Sequence, residues 1–169
     1  MGLSLFKRCV VRDRRIKERF LTLILSEVRR EREGEFIDRN PIRKVLEMLV
    51  DVGGDSTKVY TKDFESAFLA DTAAFYKAES NNYITNNSCS SFLRKVRTRL
   101  NEEFERCLNY LNAETERELQ RVVMNEYVGE HAATLISMEN SGLRWLIQND
   151  KLDDIGLMYH LFQQEPKAF

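Results

Sequence analysis

Apolar residues recur at intervals of three and four along almost all of this 169-residue chain, which is the spacing that places side chains on one face of an α-helix. Helix breakers and turn formers are scarce, because the chain has only 7 glycines and 2 prolines. Alternation with a period of two, which is typical of a β-strand, never persists for more than a few residues. The pattern therefore predicts an all-α fold with no sheet. We expect about six or seven helices, joined by short polar connections and stacked as a bundle or an elongated helical-repeat rod.

Capping residues mark several predicted helix ends. Asp13 is the predicted N-cap of a helix with an apolar stripe. Asn40 is the predicted N-cap of the next helix, with Pro41 in its first helical position. Gly53 and Gly54 are predicted to end that helix, since glycine readily takes the left-handed conformation found there. The stripe that follows Asp13 is Ile16, Phe20, Leu23, Ile24 and Val28.

The segment from about Ser88 to Leu111 has the most regular helical pattern in the chain. Its predicted inward stripe is Phe92, Val96, Leu100, Phe104, Cys107, Leu108 and Leu111. Its predicted solvent face is Arg94, Arg97, Glu102, Glu105 and Arg106. A last amphipathic helix, predicted to end before Pro166, has the stripe Leu152, Ile155, Tyr159 and Phe162. Cys107 belongs to the inward stripe of the helix at residues 88–111. It is therefore predicted to be a small buried hydrophobe rather than a nucleophile.

The cysteines and the hydropathy of the chain exclude several classes of protein. Cys9, Cys89 and Cys107 are odd in number and lack the C-x-x-C spacing, which argues against a disulfide framework or a zinc finger and favours a reducing compartment. No apolar run approaches the roughly eighteen residues of a membrane span. We expect a cytoplasmic or nuclear protein that does not enter a membrane.

Catalytic and metal-binding patterns are weak throughout. His131 and His160 lack both the Glu-x-x-His and the H-E-x-x-H spacing, which predicts structural roles for them. A second candidate is a carboxylate cluster with arginines one turn away, comprising Glu102, Glu103, Glu105, Arg99 and Arg106. Such residues are usually solvated ion-pair partners along a helix. The sequence therefore predicts no catalytic residue, no metal site, no cofactor and no enzyme activity.

Basic residues are concentrated in residues 1–19, which hold seven of them against two acidic residues. Such a segment can contact phosphates or an acidic protein surface. The chain as a whole has 26 basic and 27 acidic residues, so its net charge does not favour nucleic acid. We expect this segment to be a solvated helix face.

Several phrases together resemble the amino-terminal region of the cullin family. In chain order they are GLSLF (2–6) with VVR (10–12), EREGEFIDR (31–39), VY (59–60) with DFE (63–65) and FL (68–69), LNEE (100–103) with ER (105–106) and YL (110–111), MENSGL (138–143), and DIGLMYHLF (154–162). Each phrase is weak alone, but all of them follow the family's order. The opening and MENSGL resemble cullin three, the class that uses BTB-domain adaptors, whereas residues 68–72 look more like cullin one.

The resemblance implies a non-catalytic scaffold of a cullin-RING E3 ubiquitin ligase, built from stacked five-helix cullin repeats. It implies that residues 1–12 end a helix of the first repeat, 13–129 form the second repeat and 130–169 begin the third. Leu3, Phe6 and Lys7 are the candidate adaptor contacts. Because most of the first repeat and the whole carboxy-terminal domain have no counterpart here, we expect a fragment with weakened BTB-type adaptor binding, no RING binding and no neddylation.

Two other functions stay open from the residues alone. One is a helical tethering or vesicle-trafficking module, since proteins of that kind use similar helical rods. The other is a nucleic-acid binder that uses the basic segment at residues 1–19.

Overall fold

Helices make up all the regular structure of the described residues, so the predicted all-α class with no sheet is confirmed for them. The structure is a computed structural model that describes residues 13–54 and 56–165. The helices are α1 (Arg14–Arg32), α2 (Arg39–Gly53), α3 (Lys58–Tyr60), α4 (Ser66–Asn86), α5 (Cys89–Tyr110), α6 (Thr115–Met124), α7 (Ala132–Ser137), α8 (Leu143–Gln148) and α9 (Leu152–Gln164). A π-helical turn at Thr61–Glu65 joins α3 to α4, and another at Asn125–Gly129 follows α6. In this part of the chain, no helix combines the length and the apolar character of a bilayer-spanning segment.

Aspartates cap the first two helices. The Asp13 carboxylate accepts hydrogen bonds from the backbone N–H groups of Arg15 at 2.9 Å and Ile16 at 3.4 Å, as predicted. The prediction for α2 was wrong by two residues, because Asp38 is the N-cap and accepts from the Asn40 N–H at 3.1 Å. Pro41 still lies in the first turn, where a missing N–H leaves no helical hydrogen bond unmade.

The described chain divides into two compact units. The first comprises residues 13–71 and 107–113, and the second comprises residues 72–106 and 114–165. In the first unit, the rings of Tyr60 and Phe64 lie 5.4 Å apart between centroids, and those of Phe64 and Phe68 lie 5.3 Å apart. The Arg32 guanidinium, which is buried, lies 5.4 Å from the centroid of the Phe68 ring. Aliphatic side chains that are also buried in this unit are Ile24, Val28, Ile37, Ile42 and Leu46.

An aromatic cluster forms the centre of the second unit. Phe92 lies 5.5 Å from Tyr127 and 5.7 Å from His131 between ring centroids. Tyr76 lies 5.6 Å from Tyr127. Buried side chains from the other helices of this unit are Leu119, Val123, Leu135, Leu146, Met158, Leu161 and Phe162.

The predicted apolar stripes on α5 and α9 were wrong in part. On α5, Phe104 and Leu108 are 39% and 63% exposed, while Arg106 is buried. On α9, Leu152 and Tyr159 are 73% and 63% exposed, while Asp154 is buried. In both helices a charged side chain is buried because it has a partner of opposite charge. The helical spacing of apolar residues does not predict such a buried charge.

Candidate functional site

The three candidate adaptor contacts, Leu3, Phe6 and Lys7, lie outside the described residues. Within the described ranges, no group of three or more His, Cys, Asp or Glu side chains is placed to hold a metal ion.

Each histidine imidazole has a polar side chain within hydrogen-bond distance. His131 is buried, and its Nε2 lies 3.1 Å from the Ser80 hydroxyl. Burial lowers the pKa of His131, while the nearby Glu130 and Glu126 oppose that shift. His160 is exposed, with its Nε2 2.8 Å from the Gln164 side-chain amide. The Ser80 and Gln164 side chains both belong to the second unit, as the histidines do.

Glu103 belongs to a buried polar cluster rather than to a solvated face. Its carboxylate accepts a hydrogen bond from the Tyr76 hydroxyl and lies 2.5 Å from an Arg106 guanidinium nitrogen. Glu103, Arg106 and Arg99 are buried, so the prediction of solvated ion-pair partners was wrong for these three residues. Burial of Glu103 with Arg106 is tolerable because each charge is compensated where water is excluded.

Glu79 is the centre of a second cluster in the same unit. It accepts hydrogen bonds from the Tyr127 hydroxyl and from the Arg99 guanidinium, and the Lys95 ammonium lies 3.4 Å away. Burial raises the pKa of Glu79, but the bonds from Arg99 and Tyr127 outweigh burial and hold the pKa below its ordinary value. The pKa of Tyr127 is raised, first by burial and then by the Glu79 carboxylate. Glu79 is therefore a charged structural partner.

The phrase at residues 31–39 connects the turn between α1 and α2 to the end of α5. Glu31 accepts hydrogen bonds from the Tyr110 hydroxyl at 2.9 Å and from the Arg39 side chain at 2.6 Å. Arg43, one turn further along α2, donates to the Asn109 carbonyl at 2.6 Å. Glu31, Arg39 and Tyr110 all come from quoted phrases, so this part of the resemblance corresponds to a set of interhelical contacts.

The MENSGL phrase forms a tight turn between α7 and α8. The Ser141 hydroxyl accepts a hydrogen bond from the Cys89 N–H, the first residue of α5, at 3.1 Å. It donates to the Met138 sulfur at 3.6 Å. A Cβ added to Gly142 would lie 2.6 Å from the backbone oxygens of Ile136 and Met138. The helical path is therefore interrupted between Ser137 and Leu143.

The last phrase provides an ion pair at α9. An Arg94 guanidinium nitrogen lies 2.7 Å from the Asp154 carboxylate, which is almost fully buried. Sequence reasoning placed Arg94 on a solvent face and assigned no role to Asp154. Nothing in the local spacing could reveal the pair, because its members are sixty residues apart.

Part of the basic segment at residues 1–19 is neutralised by carboxylates. Arg14 lies 2.7 Å from Glu18, and Lys17 lies 2.5 Å from Asp63. These pairs reduce the positive charge that the beginning of α1 offers to phosphate.

Comparison with known proteins decides the family. Residues 1–168 match the sequence profile of the Cullin alpha solenoid domain. The chain belongs to the cullin family. It is 42% identical to Cullin-3 of Dictyostelium discoideum over 164 residues, which are 97% of this chain and 21% of the relative. It is also 42% identical to Cullin-3A of Arabidopsis thaliana, over 97% of this chain and 22% of the relative.

A third relative of this cullin chain is Cullin-2 of Arabidopsis thaliana, at 37% identity over 86% of the chain and 20% of the relative. The chain thus spans about a fifth of the length of these cullins. The quoted phrases predicted the family correctly. In the described cullin residues, most of those phrases supply internal contacts rather than reactive groups.

Proposed function

We propose that this cullin segment is a non-catalytic scaffold part of a cullin-RING E3 ubiquitin ligase, acting as a stiff spacer between a substrate adaptor and the catalytic module. The observation that carries the proposal is the family match over residues 1–168. The buried clusters around Glu79 and Glu103 support it, since ion pairs locked in a core favour one arrangement of the helices. A spacer needs this property and needs no reactive side chain.

We propose a BTB-type adaptor as the partner, because two of the most similar relatives are named as cullin-3 proteins. Leu3, Phe6 and Lys7 are the proposed adaptor contacts. Residues 1–12 are proposed to end a first-repeat helix, 13–129 to form the second cullin repeat and 130–169 to begin the third.

A pull-down with purified adaptors tests the partner. The immobilised chain should retain a BTB-domain protein in preference to an adaptor of another cullin class, and the double substitution Leu3→Ala with Phe6→Ala should reduce retention. Leu152→Ala is the control, because it removes an exposed apolar side chain that is not among the proposed adaptor contacts. Retention of a membrane-fusion partner, with no retention of any BTB domain, would support the tethering function instead.

A reconstituted modification assay tests the non-catalytic role. With activating enzyme, conjugating enzyme, RING protein and either ubiquitin or the ubiquitin-like modifier of neddylation present, the isolated chain should neither become neddylated nor stimulate ubiquitin transfer. A longer cullin that includes the carboxy-terminal domain serves as the positive control. Robust ubiquitylation by the chain alone would overturn the assignment.

A further inference from the structure

Phe36, in the turn between α1 and α2, is an aromatic side chain held almost entirely in water. It is 97% exposed, more than any other large apolar side chain among the described residues. Its neighbour Ile37 is buried in the first unit. Aromatic side chains, Phe among them, are enriched at protein interfaces relative to the rest of the surface.

The backbone around Phe36 is fixed by hydrogen bonds on both sides. The N–H groups of Glu33, Gly34 and Glu35 donate to carbonyls in the last turns of α1, at 3.0, 3.0 and 2.9 Å. Gly34 has a φ of 93°, a conformation that glycine adopts without strain. The Glu35 carboxylate accepts from the Arg30 side chain at 2.7 Å. On the other side, Asp38 caps α2. Little ordering is therefore needed to present Phe36, which favours tight binding.

The charge of the turn defines the chemistry of its partner. Residues 33–38 contain three carboxylates, Glu33, Glu35 and Asp38, and no basic residue. All three are exposed. A partner segment that combines an apolar side chain with flanking lysines or arginines would complement both the ring and the acids.

A groove next to the ring gives such a segment a place to lie. It has a volume of about 630 Å³ and is lined in part by Phe36, Ile37, Asp38 and Asn109. Arg39 and Arg43 also line it, but their side chains donate to Glu31 and to the Asn109 carbonyl. Those two cations are therefore already engaged within the fold.

We propose that residues 33–38 form a docking site for a basic linear segment of a partner protein. The segment packs an apolar side chain against the Phe36 ring, pairs its cations with Glu33 and Asp38, and continues along the groove. The proposed site uses none of the residues proposed as adaptor contacts, so it does not depend on the proposed function.

A peptide array probed with the whole chain tests the proposal. The array holds short peptides with every large apolar residue at the centre, flanked by lysine and arginine in one set and by aspartate and glutamate in the other. The basic set should be enriched among the peptides that bind. The dissociation constants of the strongest binders are then measured by fluorescence anisotropy.

Three variants distinguish docking at this site from general charge attraction. Phe36→Ala should weaken binding by at least about tenfold, as for an interface anchor. Glu33→Lys should weaken it severalfold, and Leu152→Ala should leave it unchanged. All three should unfold at the same urea concentration as the parent, since the substituted side chains are exposed. Equal binding of the two peptide sets, or an unchanged dissociation constant for Phe36→Ala, would overturn the proposal.

Discussion

Gly142 is a residue with no space for a side chain. An added Cβ would lie 2.6 Å from two backbone oxygens, and backbone cannot move aside as a flexible side chain can. We expect Gly142→Ala to lower the free energy of unfolding by at least about 1–3 kcal/mol, the usual cost of overpacking. Urea denaturation followed by circular dichroism measures the change.

Gly156 provides the matched control for Gly142. It lies within α9, and a Cβ added there meets no atom within 4 Å. Gly156→Ala should therefore stabilise the chain slightly, by about 0.5–1 kcal/mol, because alanine is the better helix former. Equal effects of the two substitutions would mean that the turn at residues 138–142 is not tightly packed.

Glu103 is a buried charged residue of the second unit whose removal should be strongly destabilising. Glu103→Ala leaves Arg106 in a buried position without this carboxylate and leaves the Tyr76 hydroxyl without its acceptor. We expect a loss of about 3–5 kcal/mol in the free energy of unfolding. Glu105→Ala, two residues away on the exposed side of α5, should change it by at most about 1 kcal/mol, as for an exposed charged side chain. A small effect at Glu103 would show that the cluster is solvated.

His131 should make stability depend on pH. Burial lowers its pKa in the folded chain below the ordinary value of 6.5, so the unfolded chain binds more protons between those two values. The free energy of unfolding should therefore fall as the pH decreases through 6.5 towards the folded pKa. In His131→Gln this part of the pH dependence should disappear, whereas His160→Gln should retain it. Urea unfolding midpoints measured across this pH range give the dependence of stability on pH. The same pH dependence in the two variants would contradict the prediction.

At the scale of the element, the start of α2 separates two capping hypotheses. The sequence favoured Asn40, but the Asp38 carboxylate accepts the hydrogen bond. Asp38→Ala should cost about 0.5–2 kcal/mol of unfolding free energy, while Asn40→Ala should cost much less. Thermal unfolding of the parent and of the two variants measures the loss of stability caused by each substitution. A larger effect at Asn40 would restore the capping predicted from the sequence.

Local spacing predicted the ends of these helices better than their buried faces. α1 begins as predicted at its Asp13 cap, but of its predicted stripe only Ile24 and Val28 are buried, while Phe20 and Leu23 are 38% and 62% exposed. On α5 the same counting failed, since Arg106 is buried and Phe104 is partly exposed. The partner of Arg106 within α5 is visible in the sequence, but the burial of the pair depends on helices that are distant in the chain.

At the scale of the whole molecule, the balanced charge should prevent tight binding to nucleic acid. The chain has 26 basic and 27 acidic residues, and Arg14 and Lys17 are paired with carboxylates. We expect fluorescence anisotropy with a labelled DNA duplex to show at most weak binding at physiological salt. Tight binding that weakens by about 0.9 log units per contacted phosphate for each log unit of salt would favour the nucleic-acid alternative.

The sequence by itself determined the helical class, several helix ends and the cullin family. Helical periodicity, capping and short phrases are properties of neighbouring residues, so they can be recognised without a fold. It could not assign Glu31, Asp154 or Ser141 to their contacts, nor identify Phe36 as an exposed ring. Those outcomes depend on which distant side chains meet, as when Arg94 reaches Asp154 or Tyr110 reaches Glu31. Only the tertiary structure decides them, because burial and charge pairing across helices are set by packing and not by local spacing.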